Sequence, residues 1–282
     1  MNTNQPLMKN GCNIPMNLKV VSLDKIFPHE QMDPGRVNRL VERIEQSDVF
    51  TNPPIVTQSN DRYIILDGTT RTASFRKLGF PHIIVQILNE TDNYTLNTWY
   101  HAIRGIESKE LIAYLSGFPE ITLFERKLLK LSINIFKEQN ICYIRTRDKV
   151  TYAVHRKPHV NFFDALNKLT SSYMKISHVS RTLCDDTDIL IKGFSDLTAH
   201  VIFPVLTLNQ VRKIADSGNV VPAGITRFII PGRVMHINAD VAYLKSDKSL
   251  EEKNNWLNDL IMDKLANDRI RYYAEPMYLF DE

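Results

Sequence analysis

The sequence has little glycine and no large excess of either charge. Glycine accounts for 10 of the 282 residues, about half of the usual share, which leaves little for a glycine-rich phosphate loop. Lys and Arg number 35 against 32 Asp and Glu, a net charge of +3. That excess is far below what is typical of proteins that bind mainly nucleic-acid phosphates. The composition permits DNA binding but does not favour it.

Cysteines and long apolar runs are also scarce. Cys12, Cys142 and Cys184 are far apart, without CxxC spacing or histidine pairs at ligand intervals, which predicts a reducing compartment, small buried thiols and no structural zinc. No stretch reaches the roughly 20 apolar residues of a membrane span, and residues 1–17 lack a basic start followed by an apolar run. We expect a cytoplasmic chain whose 43% hydrophobic residues build one or two domains.

Common phosphate-binding and kinase motifs are absent from the sequence. It has no GxxxxGK[ST], no GxGxxG after a strand, and no HRD or DFG set. A common NTPase or protein kinase is therefore excluded, and any phosphate site must be built in another way.

Residues 18–88 alternate short apolar runs with helical segments, a pattern typical of a compact α/β unit. Asp33 is suited to cap a helix that has Pro34 at its first position. That helix runs to about Gln46 and carries one apolar stripe, made of Val37, Leu40, Val41 and Ile44. A second helix begins after Asp67 and stops near Gly79. Strands are predicted at 18–23, 52–57, 62–66 and 82–88.

The order beyond residue 89 is harder to read, and the best domain boundary lies between about 90 and 110. A strand at 96–103 would place Trp99 and His101 on one face. Alternating residues at 143–157 predict a hairpin, and two short strands are expected around Pro231 and Gly232. Helical patterns cover 107–117, 122–140, 161–186 and 250–267.

The junction between the strand at 62–66 and the following helix can carry chemistry. Asp67 ends the strand, and Thr69, Thr70 and Arg71 begin the helix, so backbone N–H groups, hydroxyls and a guanidinium converge there. This is a natural phosphate site, although a routine capped turn has the same residues. Glu30, in the loop before the first helix, is a candidate general base. A solvated loop glutamate is the alternative for Glu30.

These segments together resemble the nucleotide fold of the ParB/sulfiredoxin superfamily, and within it the free L-serine kinases, which make O-phosphoserine. The resemblance rests on the loop glutamate, on NPPIV at 52–56 and LDGTTR at 66–71, and on the C-terminal segments GITRFIIPGR at 224–233 and RYYAEPMYLFDE at 271–282. It is strongest to members that supply siderophore assembly. It implies an α+β chain, with a mixed-sheet nucleotide-binding domain at 15–105 and a mainly helical domain with a short C-terminal β segment at 106–282.

The resemblance also implies roles for single residues. Glu30 takes the proton of the serine hydroxyl, and Asp67 orients the nucleophile or the metal-bound phosphate. Gly68, Thr69, Thr70 and Arg71 bind phosphate. Threonines stand where many members have histidines, which leaves both ATP and ADP open as the donor. The nucleotide is accompanied by Mg²⁺. Trp99, His101 and Thr226 match serine-pocket positions, although Phe228 stands where the family has a histidine. On chemical grounds, Arg227 or Arg233 would clamp the serine carboxylate.

A DNA-binding regulator is the competing hypothesis, because the superfamily includes such proteins. Residues 162–183 resemble two helices with a short break, the second offering His178, Ser180 and Arg181 to a groove. A helical layer packed on the core explains the same pattern. Basic side chains cluster nearby, at Arg145, Arg147, Lys149, Arg156 and Lys157. Haem or metal ligation also stays open, without a marked spacing, for His155, His159, His178, His200 and His236.

Overall fold

The computed structural model describes residues 16–89, 91–126 and 139–273, together with the backbone of residues 7–9 and 12–14. The chain divides into two compact units. The first contains Met1–Thr95 and Phe228–Glu282, and the second contains Leu96–Arg227. The sequence predicted two consecutive domains, at 15–105 and 106–282. The division differs because the segment after residue 228 contributes Ile237, Ala239 and other apolar side chains to the core of the first unit.

Strands and helices alternate along most of the described chain. The helices are α1 Pro34–Glu45, α2 Thr69–Lys77, α3 Ser108–Ser116, α4 Phe162–Ile176, α5 Thr187–Gly193, α6 Leu208–Asp216, α7 Val241–Lys245 and α8 Leu250–Ala266. The strands are β1 Leu7–Lys9, β2 Cys12–Ile14, β3 Leu18–Ser22, β4 Ile26–Phe27, β5 Val49–Phe50, β6 Ile55–Ser59, β7 Arg62–Asp67, β8 His82–Leu88, β9 Thr95–Thr98, β10 Tyr100–Arg104, β11 Ile121–Arg126, β12 Asn140–Thr146, β13 Thr151–Arg156, β14 His178–Thr182, β15 Leu197–Ile202, β16 Thr226–Ile229 and β17 Ala239–Asp240.

A mixed five-stranded sheet forms the first unit, as the sequence predicted. Its order is β3-β8-β6-β7-β4. The β3/β8 and β6/β7 pairs are antiparallel, whereas β6/β8 and β4/β7 are parallel. The core beneath this sheet includes the side chains of Val20, Val56, Ile65, Phe75 and Ile84, all at most 2% exposed. Because β4 and β7 are parallel, the loops that follow these two strands leave the sheet at the same edge.

The two predicted helices of the first unit begin where local sequence signals place them. Asp33 caps α1 by accepting hydrogen bonds from the backbone N–H groups of Gly35 and Arg36, and Pro34 is its first residue. Helix α2 begins directly after Gly68 and ends before Gly79, which has a φ of +72°. Both boundaries follow from residue types at the helix ends and agree with the predictions.

The second unit is built on a sheet, so the prediction of a mainly helical domain is wrong. Six antiparallel strands follow the order β11-β13-β12-β15-β10-β14. The hairpin predicted at 143–157 is present as β12 and β13. Residues 122–126, predicted as part of a helix, belong to β11 because they pair with β13. The rest of that predicted helix includes residues 127–138, which lie outside the described chain.

The pattern of two helices that suggested a DNA reader is also corrected. Helix α4 ends at Ile176, and residues 178–182 continue as strand β14, which pairs along its whole length with β10. A strand at the sheet edge satisfies its backbone groups through that ladder, which overrides the weak helical pattern of the segment. In the C-terminal part, β16 precedes Pro231 as predicted, but β17 begins only at Ala239. Within the described residues, no helix has the length and apolarity needed to cross a membrane.

Candidate active site

The junction of β7 and α2 has a backbone geometry suited to binding an anion. Gly68 adopts φ +99°, and a Cβ at this position would lie 2.9 Å from the Cα of Pro54, so only glycine fits without strain. The N-cap residue of α2 is Gly68, which has no side chain to cap the helix. The hydroxyls of Thr69 and Thr70 make no hydrogen bond with the rest of the described chain. The first-turn N–H groups and these hydroxyls are therefore available to an anion.

Two guanidinium groups share one carboxylate oxygen at this junction. The Oδ2 atom of Asp67 accepts from Arg71 Nη2 at 3.0 Å and from Arg233 Nη1 at 2.5 Å. Arg71 also donates to the carbonyls of Asn52 and Pro53. Burial alone would raise the pKa of Asp67, but the two arginines outweigh it and lower that pKa. Asp67 is an ionised partner for the arginines, and the three side chains together carry a charge of +1.

Glu30 emerges at the same edge of the sheet as Asp67. Phe27 of β4 pairs with Ile64 of β7 in a parallel register, so the loop after Phe27 and the end of β7 leave the sheet in the same direction. Glu30 lies three residues after Phe27, and Asp67 lies three residues after Ile64. The structure thus places the predicted base and the predicted phosphate junction at neighbouring strand ends.

His29 anchors the Glu30 loop, a role that the sequence alone did not reveal. Its side chain is buried, and Nδ1 lies 2.6 Å from the carbonyl oxygen of Ile65. Burial lowers the pKa of His29, although the charge of Glu30 opposes the shift. A neutral imidazole donates from Nδ1 to that carbonyl. The ring also packs edge-on against Phe228, with centroids 6.1 Å apart. In the sequence, the only indication that His29 matters to the loop is that it directly precedes Glu30.

The predicted serine-pocket residues of the second unit separate into two groups. The Arg227 guanidinium lies over the Trp99 ring, 5.0 Å from its centroid. The backbone N–H of Trp99 donates to the Ile225 carbonyl at 2.7 Å. Thr226 is half-buried next to Arg227. Trp99 interrupts the predicted strand at 96–103, which divides into β9 and β10. Trp99, Thr226 and Arg227 therefore lie close together in the structure.

His101 belongs to the core of the second unit. It is fully buried, its Nδ1 lies 2.6 Å from the Tyr173 hydroxyl, and its ring packs against Phe203. Burial lowers the pKa of His101 to about 4, and the charge of Arg181 adds to that effect. The His101 side chain is therefore enclosed by the core of the second unit and has no exposed surface.

Arg233, predicted as one of two alternative clamps for the serine carboxylate, belongs to the first unit. Its guanidinium is held by Asp67 in the first unit, beside Arg71. Arg227, the other candidate, lies with Trp99 and Thr226 in the second unit. The ion pair of Arg233 with Asp67 joins residues 166 positions apart.

Known proteins that resemble this chain share one activity in their names. The chain is 28% identical over 273 residues to the ATP-dependent L-serine kinase SbnI of Staphylococcus aureus, covering 94% of this chain and 98% of that protein. An ATP-dependent L-serine kinase of Staphylothermus marinus is 28% identical over 228 residues, 75% of this chain and 85% of that protein. The predicted resemblance to free L-serine kinases is confirmed.

Serine kinases also share the fold of this chain. The structure of C-terminally truncated SbnI from S. aureus covers 88% of this chain and 97% of its own, with a TM-score of 0.68 and 25% identity. A free serine kinase in complex with AMP gives a TM-score of 0.69, covering 86% of this chain and 98% of its own, at 18% identity. The ADP-dependent L-serine kinase SerK of Thermococcus kodakarensis is 32% identical over 90 residues, 30% of this chain and 36% of that protein. No family model matches the chain.

Proposed function

We propose that this chain transfers a phosphoryl group from a nucleotide to the hydroxyl of free L-serine and so forms O-phospho-L-serine. The observation that carries the proposal is the placement of Glu30 and of the Asp67, Arg71 and Arg233 cluster at the ends of the parallel strands β4 and β7. A base and a cationic phosphate site are the two parts that phosphoryl transfer to an alcohol requires. The similarity to L-serine kinases over most of the chain supports the acceptor.

In the proposed reaction, the Glu30 carboxylate accepts the proton of the serine hydroxyl. The serine oxygen forms a bond to the terminal phosphorus of the nucleotide, and the bond from that phosphorus to the bridging oxygen breaks, which releases the shortened nucleotide. Thr69, Thr70, Arg71 and the N–H groups of the first turn of α2 stabilise the phosphoryl charge. The protein acts by positioning and charge neutralisation, without covalent help.

The serine-binding role of Trp99, Thr226 and Arg227 is part of the proposal. Arg227 presents a guanidinium suited to the amino-acid carboxylate. That guanidinium lies on the face of the Trp99 ring, which shows that the ring can hold a cation. His101, which the resemblance placed in the pocket, is left out because its side chain is fully buried. Loss of the Arg227 side chain should therefore raise the Michaelis constant for serine.

ATP or ADP is the proposed donor, and Mg²⁺ is proposed to enter bound to it. Among the described residues, no group of three His, Cys, Asp or Glu side chains is arranged to hold a metal. The carboxylate of Asp67 is engaged by two guanidiniums on one oxygen, a poor start for a protein-held Mg²⁺ site. Mg²⁺ is often carried largely by substrate phosphates, and it would neutralise part of their charge. The junction residues bind the remaining phosphate charge.

The ParB/sulfiredoxin-like assignment of the first unit, the siderophore pathway and the cytoplasmic location are proposed only from the resemblance found in the sequence. The mixed sheet with a strand-to-helix phosphate junction supports the first of these. The structure does not favour a DNA reader. The strand β14 replaces its recognition helix, and basic side chains of the hairpin have protein partners, Lys149 with Asp188 and Arg156 with the Val160 carbonyl.

Phosphorus NMR tests the proposal directly. Purified protein, L-serine, Mg²⁺ and either ATP or ADP should give the O-phosphoserine resonance. Glu30→Gln should lower the rate by about 10²–10⁴-fold, because it removes the general base, while ATP binding stays close to wild type. Glu42→Gln, an exposed change on α1, is the matched control. Absence of O-phosphoserine with both donors rejects the kinase proposal, and full activity of the Glu30 variant rejects the base.

A further inference from the structure

Gln86 clamps the backbone on both sides of Arg233. It lies in β8, is 6% exposed, and has apolar neighbours in the strand. Its Nε2 donates to the Gly232 carbonyl at 3.0 Å, and its Oε1 accepts from the Val234 N–H at 2.9 Å. One side chain thus satisfies the two backbone groups that flank Arg233. A buried amide in an apolar strand is costly unless paired in this way.

The same frame holds the phosphate junction. The Gln86 N–H donates to the Pro54 carbonyl at 2.9 Å, and Pro54 is the residue that Gly68 approaches closely. Asn52 makes a second link, because its carbonyl accepts from Arg71 and its Oδ1 accepts from the His236 N–H at 3.1 Å. The segment that carries Arg233 is therefore fixed at two points, to β8 through Gln86 and to the loop before β6 through Asn52.

Arg233 keeps N–H donors that no described residue accepts from. A guanidinium has five N–H donors, and within the described chain its hydrogen bond to Asp67 is the only one that Arg233 makes. About a third of its side chain, 35%, is exposed. Because Arg71 is bound to the same oxygen of Asp67, an anion that contacts one guanidinium is within reach of the other. Paired guanidiniums at a helix start match the charge of a phosphate group better than that of a single carboxylate.

We propose that Arg233 binds nucleotide phosphate together with Arg71, and that Gln86 is the positioning residue that places it there. The proposal rests on the proposed function for the choice of ligand. It assigns Arg233 to the phosphoryl donor rather than to the serine carboxylate. Gln86 touches no substrate and acts only through the backbone of residues 232–234.

Calorimetric titration with ATP, combined with initial rates, tests this on four proteins: wild type, Arg233→Ala, Gln86→Leu and the double variant. Loss of a charge-assisted hydrogen bond should weaken ATP binding by about 10- to 100-fold in Arg233→Ala, with the Michaelis constant for L-serine within about twofold of wild type. Gln86→Leu should weaken ATP binding in the same direction. The double variant should bind ATP no more weakly than Arg233→Ala alone, since both changes remove one contact.

Several outcomes overturn the inference. A raised Michaelis constant for serine with unchanged ATP binding in Arg233→Ala would make Arg233 the carboxylate clamp. If the losses of ATP affinity multiply in the double variant, Gln86 has only a general structural role. Gln58→Leu, on the exposed part of β6, controls for the loss of a side-chain amide. If wild type makes no O-phosphoserine but ATP binding still depends on Arg233 and Gln86, the proposed function fails and the phosphate clamp stands.

Discussion

At the scale of single residues, Asp67 stays charged when buried whereas His101 stays neutral, because only Asp67 has opposite charges beside it. Burial would raise the pKa of Asp67, but Arg71 and Arg233 lower it. Burial lowers the pKa of His101 to about 4, and a nearby arginine adds to the shift. Asp67 is therefore a fixed negative charge that organises two cations. His101 is a neutral part of the core, hydrogen-bonded to Tyr173.

We expect His101 to destabilise the second unit as the pH falls from about 6.5 to 4. The histidine of the unfolded chain has its ordinary pKa of 6.5, but burial lowers the pKa of the folded one to about 4, so stability declines across this window. The full effect is about 3 kcal/mol. His101→Gln keeps a partner for Tyr173 and does not titrate. In urea unfolding, the variant should lose about 2 kcal/mol less than wild type between pH 7.5 and pH 5.

The exposed His178→Gln, on β14, is the control for this experiment. Trp99 fluorescence reports on the second unit when the other tryptophan, Trp256, is replaced by phenylalanine. A His101→Gln variant with the wild-type dependence of stability on pH would contradict a buried, neutral histidine.

At the scale of elements, strand β14 turns Arg181 from a predicted DNA contact into a support for the loop before β16. The Arg181 Nη2 donates to the Ala223 carbonyl at 3.1 Å. Its guanidinium lies against Gly224, where an added Cβ would meet it at about 2 Å. Gly224 also has a φ of +69°. This loop leads directly into Thr226 and Arg227, so the strand and the proposed serine residues are connected through one side chain.

Gly224→Ala should therefore raise the Michaelis constant for L-serine several-fold and leave the constant for ATP unchanged. The left-handed backbone costs a non-glycine residue about 1–2 kcal/mol, and the new methyl group must displace the Arg181 guanidinium. Steady-state kinetics with each substrate varied in turn measure both constants. Gly193→Ala is the matched control, because a Cβ there meets no atom within 4 Å. Unchanged serine kinetics would disconnect this loop from the acceptor.

At the scale of the whole molecule, the first unit is assembled from both ends of the chain. The returning segment contributes Leu244, Leu257 and Ile261 to the core built on β3 and β8. Asn254 of α8 bonds both backbone groups of Val20 on the edge strand β3, accepting from its N–H and donating to its carbonyl at 3.0 Å each. The returning segment also carries Arg233 to Asp67. Stability and the proposed phosphate site thus depend on the same C-terminal segment.

A fragment of residues 1–95 should not fold alone, whereas residues 96–227 should unfold cooperatively on their own. Each buried Leu or Ile contributes about 1.5–3 kcal/mol, and loss of Ile237, Leu244, Leu257 and Ile261 approaches the 5–15 kcal/mol stability of a typical domain. Circular dichroism and proton NMR dispersion of the two fragments measure this. A dispersed spectrum from residues 1–95 alone would show that the returning segment is dispensable for folding.

The sequence by itself determined the features whose causes are local. Asp33 and Pro34 start α1, and the alternation of β6, β7 and β8 marks a mixed unit, because caps and hydrophobic periodicity act over a few residues. The strand-to-helix junction at Asp67 and Gly68 was predicted on the same grounds. Glu30 was singled out by its place in the loop that follows β4, and its role as the base stays a prediction.

Only the tertiary structure decided the features that depend on distant partners. Arg233 reaches Asp67 across 166 residues, and Gln86 reaches Gly232 across 146. Residues 178–182 form a strand because β10 pairs with them, and His101 is neutral because the second unit buries it. Strand pairing and desolvation arise from contacts that bring separate parts of the chain together. No local pattern encodes them, and so the arrangement of charge around Asp67 emerged only from the folded chain.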